Sequence, residues 1–124
     1  MATLILGAST KPFRYSYKAT ERLLAAGESV VLIGGREGSL FGVPIQVGNP
    51  RLLNIDTVTM YLNQDRQESY VEYILEDIKP KRIIFNPGAE NLKLAMMAKA
   101  AGIEVLHACT LVMLATNQWL TTSL

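Results

Sequence analysis

Two stretches of this chain share one grammar: Ala25-Ala26-Gly27-Glu28-Ser29-Val30-Val31 and Ala100-Ala101-Gly102-Ile103-Glu104-Val105-Leu106. In each, a helix stops at a glycine and an apolar strand begins. Glycine suits the position after a helix because it enters the left-handed region without a Cβ penalty. An apolar run at once afterwards is the helix-to-strand joint of a βαβ unit. Using that joint twice commits the chain to parallel strands with crossover helices.

The remaining segments fit the same alternation. Thr3 to Leu6 is a short apolar run stopped by Gly7. Ser16 is a plausible N-cap, and Ala19, Leu23, Leu24 and Ala26 follow at helical spacing. Val30 to Ile33 is a second strand, ended by Gly34-Gly35. Arg36 to Ile55 is irregular, with room for one short edge strand around Ile45 to Val47. Asp56 to Leu62 reads as a strand. Asp65 with Glu68 forms a capping-box pair, and Val71, Ile74, Leu75 and Ile78 mark one helical face that ends at Pro80. Ile83-Ile84-Phe85 is a further strand, stopped by Asn86-Pro87-Gly88. Leu92, Ala95, Met96 and Ala100 mark a helix, with Met96 and Met97 read as core filler. Ile103 to Leu106 is the last strand, and Leu111 to Ala115 a final apolar piece. Glu76-Asp77 and Lys79-x-Lys81-Arg82 read as a solvated helix end.

Strands buried on both faces and separated by helices predict a three-layer, doubly wound α/β fold. The expected sheet is mostly parallel and five-stranded, Rossmann-like, with order 3-2-1-4-5. Residues 1–124 are expected to form a single domain, since no linker interrupts the pattern.

Composition narrows the function classes. At 49% hydrophobic and 19% charged, the 124 residues are globular rather than disordered. Twelve Lys and Arg against eleven Asp and Glu leave a net charge of +1, which argues against a nucleic-acid partner. A single cysteine, Cys109, excludes a disulfide framework within the chain, and a single histidine, His107, excludes a His-rich metal centre. The start Met1-Ala2-Thr3-Leu4-Ile5-Leu6 has no positive n-region, and no apolar run approaches membrane-spanning length. The expectation is a cytoplasmic protein with no membrane partner.

The chemistry concentrates in the first strand-to-helix loop, Gly7-Ala8-Ser9-Thr10-Lys11-Pro12-Phe13-Arg14-Tyr15-Ser16. In a doubly wound sheet, ligands bind beyond the C-terminal strand ends where the winding reverses. Gly7 permits a sharp turn, the hydroxyls of Ser9, Thr10 and Ser16 can donate, and the following helix points free N–H groups into the crevice. A phosphate or pyrophosphate is the natural occupant, with Lys11 and Arg14 as cationic partners. Against Gly-x-Gly-x-x-Gly the loop has Gly7, Ser9 and Pro12, and no Gly-Lys-Ser/Thr follows, so neither dinucleotide nor Walker loops are matched. After the second strand stand Gly34, Gly35 and Arg36. A carboxylate for a free ribose diol is missing directly there, whereas Arg36 suits a phosphorylated ribose, as in CoA or NADP. The glycines would let an adenine approach the backbone.

The residues Gly7-Ala8-Ser9, Pro12, Arg14, Ser16-Tyr17 and Leu23-Leu24-x-x-Gly27 resemble the small stand-alone CoA-binding domain proteins. These are related to the CoA-binding domain of succinyl-CoA ligase α chains. The resemblance continues through Leu40-Phe41-Gly42-Val43-Pro44-Ile45, Gly88-x-x-Asn91 and Ala100-Ala101-Gly102-Ile103-Glu104-Val105 to Cys109. The chain departs from the family pattern at Ile33-Gly34-Gly35-Arg36, where Val-Asn-Pro is usual. It departs again at His107-Ala108, where Asp-Arg is usual, and after Cys109, where Pro-x-x-Glu is common.

The resemblance implies a CoA or acyl-CoA ligand, and the strand-end reading gives Gly7, Ala8, Ser9, Thr10, Lys11, Arg14 and Ser16 of the first loop, Gly34, Gly35 and Arg36 after the second strand, and Gly88 and Asn91 after Phe85 as its expected binding residues. Asn91 either caps the next helix or touches the pantetheine arm, and capping is favoured. His107 and Cys109 lie two apart, which reads as a solvent-facing His beside a buried apolar Cys rather than a nucleophilic pair. No catalytic constellation stands out. The leading expectation is a CoA-binding module with no catalysis of its own. The alternatives are a small NADP-linked oxidoreductase and a protein-interaction domain with a vestigial nucleotide cleft. A homo-oligomer or a protein partner is left open.

Overall fold

A seven-stranded, mostly parallel sheet forms the centre of the computed structural model, which describes residues 1–120. Residues 121–124, the end of the expected domain, lie outside that description. The elements run β1 (Ala2–Ala8), α1 (Tyr15–Ala25), β2 (Val30–Gly34), β3 (Gly38–Leu40), β4 (Val43–Gln46), β5 (Ile55–Met60), α2 (Gln64–Gln67), β6 (Arg82–Phe85), α3 (Leu92–Ala100), β7 (Glu104–His107) and α4 (Thr110–Ala115). The spatial order is β3-β4-β2-β1-β5-β6-β7. Among the described residues only the β3–β4 pair is antiparallel.

The doubly wound class is as expected, but five strands in the order 3-2-1-4-5 are not what forms. The irregular stretch after β2 supplies two strands rather than one. Gly38–Leu40 and Val43–Gln46 fold back on each other, and β4 continues the sheet beside β2 through Leu32↔Ile45 and Ile33↔Gln46. Strands of three and four residues are too short to show a period of two. The Asp56–Leu62 segment ends at Met60 and joins the other side of β1, with Leu4 opposite Val58. The winding therefore reverses at β1.

Alternation along each strand divides the core between two faces. Leu4, Leu6, Ile33, Val58, Met60, Ile83 and Phe85 pack with Tyr73, Ile74, Leu94, Ala95 and Ala98. Ile5, Leu32, Ile45 and Ile84 pack on the opposite face with Leu23 of α1 and Met113 of α4. Helices cover both faces, giving three layers.

Both helix-to-strand joints close as Schellman motifs. Gly27 and Gly102 have φ of +83° and +81°. The Gly27 and Glu28 N–H groups donate to Leu24 and Leu23, and the Gly102 and Ile103 N–H groups donate to Lys99 and Ala98.

Several local expectations shift. Tyr15 begins α1, so Ser16 lies inside the first turn and is buried with Ala19, Thr20 and Leu23. Asn63, not Asp65, caps α2 by accepting the Arg66 N–H at 2.9 Å. The helical run from α2 passes through a 3₁₀ turn at Glu68–Tyr70 and a π-helical stretch at Tyr73–Ile78, then stops at Lys79 with φ +48° before Pro80. Met96 and Met97 face outward, because Leu94, Ala95 and Ala98 form the inner stripe of α3.

Arg82 is buried rather than solvated. Its Nε donates to the Thr57 hydroxyl at 2.8 Å, and its guanidinium lies 4.5 Å from the centre of the Trp119 ring. Burial lowers its pKa, opposed by nearby Asp56, Glu104 and Glu28. Among the described residues no helix is long and apolar enough to cross a membrane.

Candidate functional site

The C-terminal ends of the parallel strands open into a cleft of about 1070 Å³. Its floor is the β1 loop, and close packing sets the course of that loop. Gly7 has φ +106°, and a β-carbon there would sit 3.1 Å from the Tyr61 carbonyl carbon. On the other side, a β-carbon on Gly34 would lie 2.4 Å from the Ala8 carbonyl oxygen. The register of β1 against β2 shifts between Leu6 and Ala8, where this close approach occurs. Further on, the Lys11 N–H donates to the Ser9 hydroxyl at 3.1 Å, and the Arg14 N–H donates to the Lys11 carbonyl at 3.0 Å. Pro12 and Phe13 form the corner between them.

Arg14 occupies the N-cap of α1 and makes no side-chain capping bond. The first-turn N–H groups of this 11-residue helix are thus left for water or an anion. Tyr15 and Ser16 bring that turn to the cleft.

Charge in the cleft is one-sided. Among the described residues, Lys11, Arg14, Arg36 and Arg66 line it, against the single carboxylate of Glu37. The four cations come from three different strand ends, so the fold rather than a sequence run brings them together.

The far end is held by buried polar side chains. Asn86 Nδ2 donates to the Thr59 hydroxyl at 2.7 Å and to the Met60 carbonyl at 2.9 Å, while its Oδ1 accepts the Thr110 N–H at 2.8 Å. The Thr59 and Thr110 hydroxyls are 2.8 Å apart. One asparagine thereby ties β5, β6 and the start of α4. Gln67 Nε2 donates to the Leu62 and Ala89 carbonyls, at 2.8 and 2.7 Å. Its Oε1 accepts from Asn91 Nδ2 at 2.9 Å. The exposed Glu90 carboxylate accepts the Gly88 N–H at 3.0 and 3.2 Å, and hydrogen bonds from its own and the Gly88 N–H hold its pKa below the usual carboxylate value. Tyr61 lines the cleft with its hydroxyl buried and without a hydrogen-bond partner among the described residues. Burial pushes its pKa to about 12, with the Thr110 and Thr59 hydroxyls and Cys109 as lesser influences.

The cationic crevice lies at the point where the winding reverses, the place where doubly wound sheets bind ligands. The family described as "CoA binding domain" matches residues 2–115. The chain belongs to the CoA-binding domain family. A crystal structure of an uncharacterized protein is 43% identical, with a TM-score of 0.92 over 95% of this chain and 97% of that one. A hypothetical protein from Pyrococcus horikoshii OT3 is 22% identical, with a TM-score of 0.76 over 89% of this chain and 78% of its own. A protein from Thermus thermophilus is 18% identical, with a TM-score of 0.77 over 95% and 90% of the two chains. The last two share the fold. The search of curated proteins gave no match.

In this CoA-binding domain the fold brings nine of the twelve expected site residues to the cleft: Gly7, Ala8, Ser9, Thr10, Lys11, Arg14, Ser16, Arg36 and Gly88. Gly34, Gly35 and Asn91 do not line it. Gly34 is buried against Ala8, and Gly35 is exposed with open space around it. Asn91 is buried and caps α3, its Oδ1 accepting the Leu94 N–H at 3.1 Å. His107 and Cys109 part company. The His107 ring stacks on Phe85 with centres 5.5 Å apart, while Cys109, half-buried rather than buried, lines the cleft.

Motif spacing does not point to Tyr61, Asn63 and Arg66, which also line the cleft. The strand that looked continuous to Leu62 stops at Met60, so the following residues turn outward over the crevice. The rule that ligands sit beyond strand ends is the signal that finds them.

Proposed function

We propose that this chain is a CoA- or acyl-CoA-binding module, a single unit over residues 1–124 acting in the cytoplasm, with no catalysis of its own. The observation that carries the reading is the placement of Arg36 at the cleft rim after β2, beside the β1 loop with Lys11 and Arg14. The diphosphate lies against the backbone of Ala8, Ser9 and Thr10 and the open first turn of α1. Arg36 meets the ribose 3′-phosphate, where a guanidinium offers two parallel hydrogen bonds. The pantetheine arm then runs toward Asn86, Gly88 and Cys109.

An NADP-linked oxidoreductase is the competing reading, since Arg36 also suits a 2′-phosphate. Ser9 and Pro12 replace two glycines of the dinucleotide loop, which weighs against it.

Titration calorimetry with CoA, dephospho-CoA and NADP, on the unmodified protein and on Arg36→Ala, separates these readings. CoA should bind more tightly than dephospho-CoA by roughly 1–3 kcal/mol, the worth of one charge-assisted contact at a partly exposed site. Arg36→Ala should remove most of that preference and leave dephospho-CoA affinity nearly unchanged, as in a double-mutant cycle. Equal affinities in the unmodified protein reject the role of Arg36. NADP binding more tightly than CoA moves the oxidoreductase reading to first place. Binding of none of the three leaves the interaction domain with a vestigial cleft.

A further inference from the structure

Arg66 lines the cleft, is exposed, and has no ion-pair partner among the described residues. It lies on the first turn after β5, which Asn63 fixes by accepting the Arg66 N–H at 2.9 Å. The loop carrying it abuts the β1 loop, since a β-carbon on Gly7 would stand 3.1 Å from the Tyr61 carbonyl carbon and 3.2 Å from the Leu62 nitrogen. Because the order is β2-β1-β5, Arg36 and Arg66 flank the β1 loop from opposite sides. Their strands are two spacings apart, roughly 10 Å.

We propose that Arg66 clamps the ligand's diphosphate from the β5 side, opposite Lys11 and Arg14. This rests on a nucleotide diphosphate occupying the cleft, as the CoA-binding reading requires. A ligand whose ribose phosphate reaches Arg36 places its 5′-diphosphate over β1. That leaves the diphosphate about one strand spacing, ~4.8 Å, from β5. The pantetheine arm beyond it carries hydroxyl and amide groups but no charge. An acyl carboxylate at the thiol end would be carried away toward β6 and β7. The diphosphate is therefore the anion within reach of Arg66, and a guanidinium fork matches paired phosphate oxygens.

The test compares unmodified protein, Arg66→Ala and Arg66→Lys for binding of CoA, dephospho-CoA and ADP. Arg66→Ala should weaken all three by a common factor of about 10 to 150, as expected for one charge-assisted hydrogen bond. Arg66→Lys should recover part of the loss, because it keeps the charge and loses the fork. Arg36→Ala, by contrast, should weaken CoA alone. Unchanged affinities in Arg66→Ala overturn the clamp. If the unmodified protein binds ADP as tightly as CoA while Arg66→Ala still weakens ADP, the CoA reading falls and the clamp stands. Failure of the unmodified protein to bind any of the three overturns both.

Discussion

A β-carbon built on Gly34 would lie 2.4 Å from the Ala8 carbonyl oxygen, whereas one on Gly35 would meet nothing within 4 Å. In the sequence the two look alike, and both suggest a backbone left bare for an adenine. The difference is tertiary, since the β1–β2 register shift presses Ala8 onto one glycine and leaves its neighbour in solvent. Gly34→Ala should therefore destabilise the protein by about 1–3 kcal/mol, the usual cost of forcing an atom into a filled space. It should also weaken ligand binding, because the Ala8 carbonyl belongs to the loop that forms the cleft floor. Gly35→Ala should stay within about 0.5 kcal/mol of the unmodified protein. Urea unfolding of the pair decides it, and equal midpoints would dismiss the packing role of Gly34.

At the level of elements, the joints between helix and strand were the most legible feature. Each depends on a local rule, a left-handed residue after the last helical turn, which glycine at Gly27 and Gly102 satisfies by itself. Helix beginnings were less legible. Arg14 sits at the N-cap of α1 without capping it, an arrangement that local propensity disfavours and an anion-binding turn can exploit. Asn86 was visible as part of a strand-stopping Asn-Pro-Gly, but its bonds to Thr59, Met60 and Thr110 join residues far apart in sequence. Asn86→Ala leaves the buried Thr110 N–H without its partner, at about 1–3 kcal/mol where water cannot reach it, and also removes the Asn86 bonds to the Thr59 hydroxyl and the Met60 carbonyl. The expected result is a loss above ~2 kcal/mol in denaturant unfolding, together with weaker CoA binding as the start of α4 loosens. An unfolding midpoint equal to that of the unmodified protein would show that Asn86 does not hold the far wall.

Across the whole molecule, the doubly wound class could be read from alternation alone, while the edge hairpin and the composition of the cleft could not. Strand order depends on which neighbours pair, and β3 and β4 are too short to carry a pattern. Likewise the net charge of +1 conceals how charge is arranged. Lys11, Arg14, Arg36, Arg66 and Glu37 give the cleft +3, so the rest of the chain carries −2. A nearly neutral protein thus holds a concentrated positive site, which attracts a polyanion through the field of its cleft rather than its overall charge. Such attraction is screened over about 10 Å at 0.1 M salt and about 3 Å at 1 M. CoA affinity should accordingly fall as sodium chloride rises from roughly 0.1 to 1 M, most of it through slower association. The slope should flatten in Arg14→Ala, which removes one of the four cations, and should remain steep in Lys99→Ala, whose charge lies on α3 outside the cleft. Stopped-flow binding across that salt range measures both. A CoA affinity independent of salt, or equal slopes for the two variants, would show that the clustered cations do not draw the ligand in.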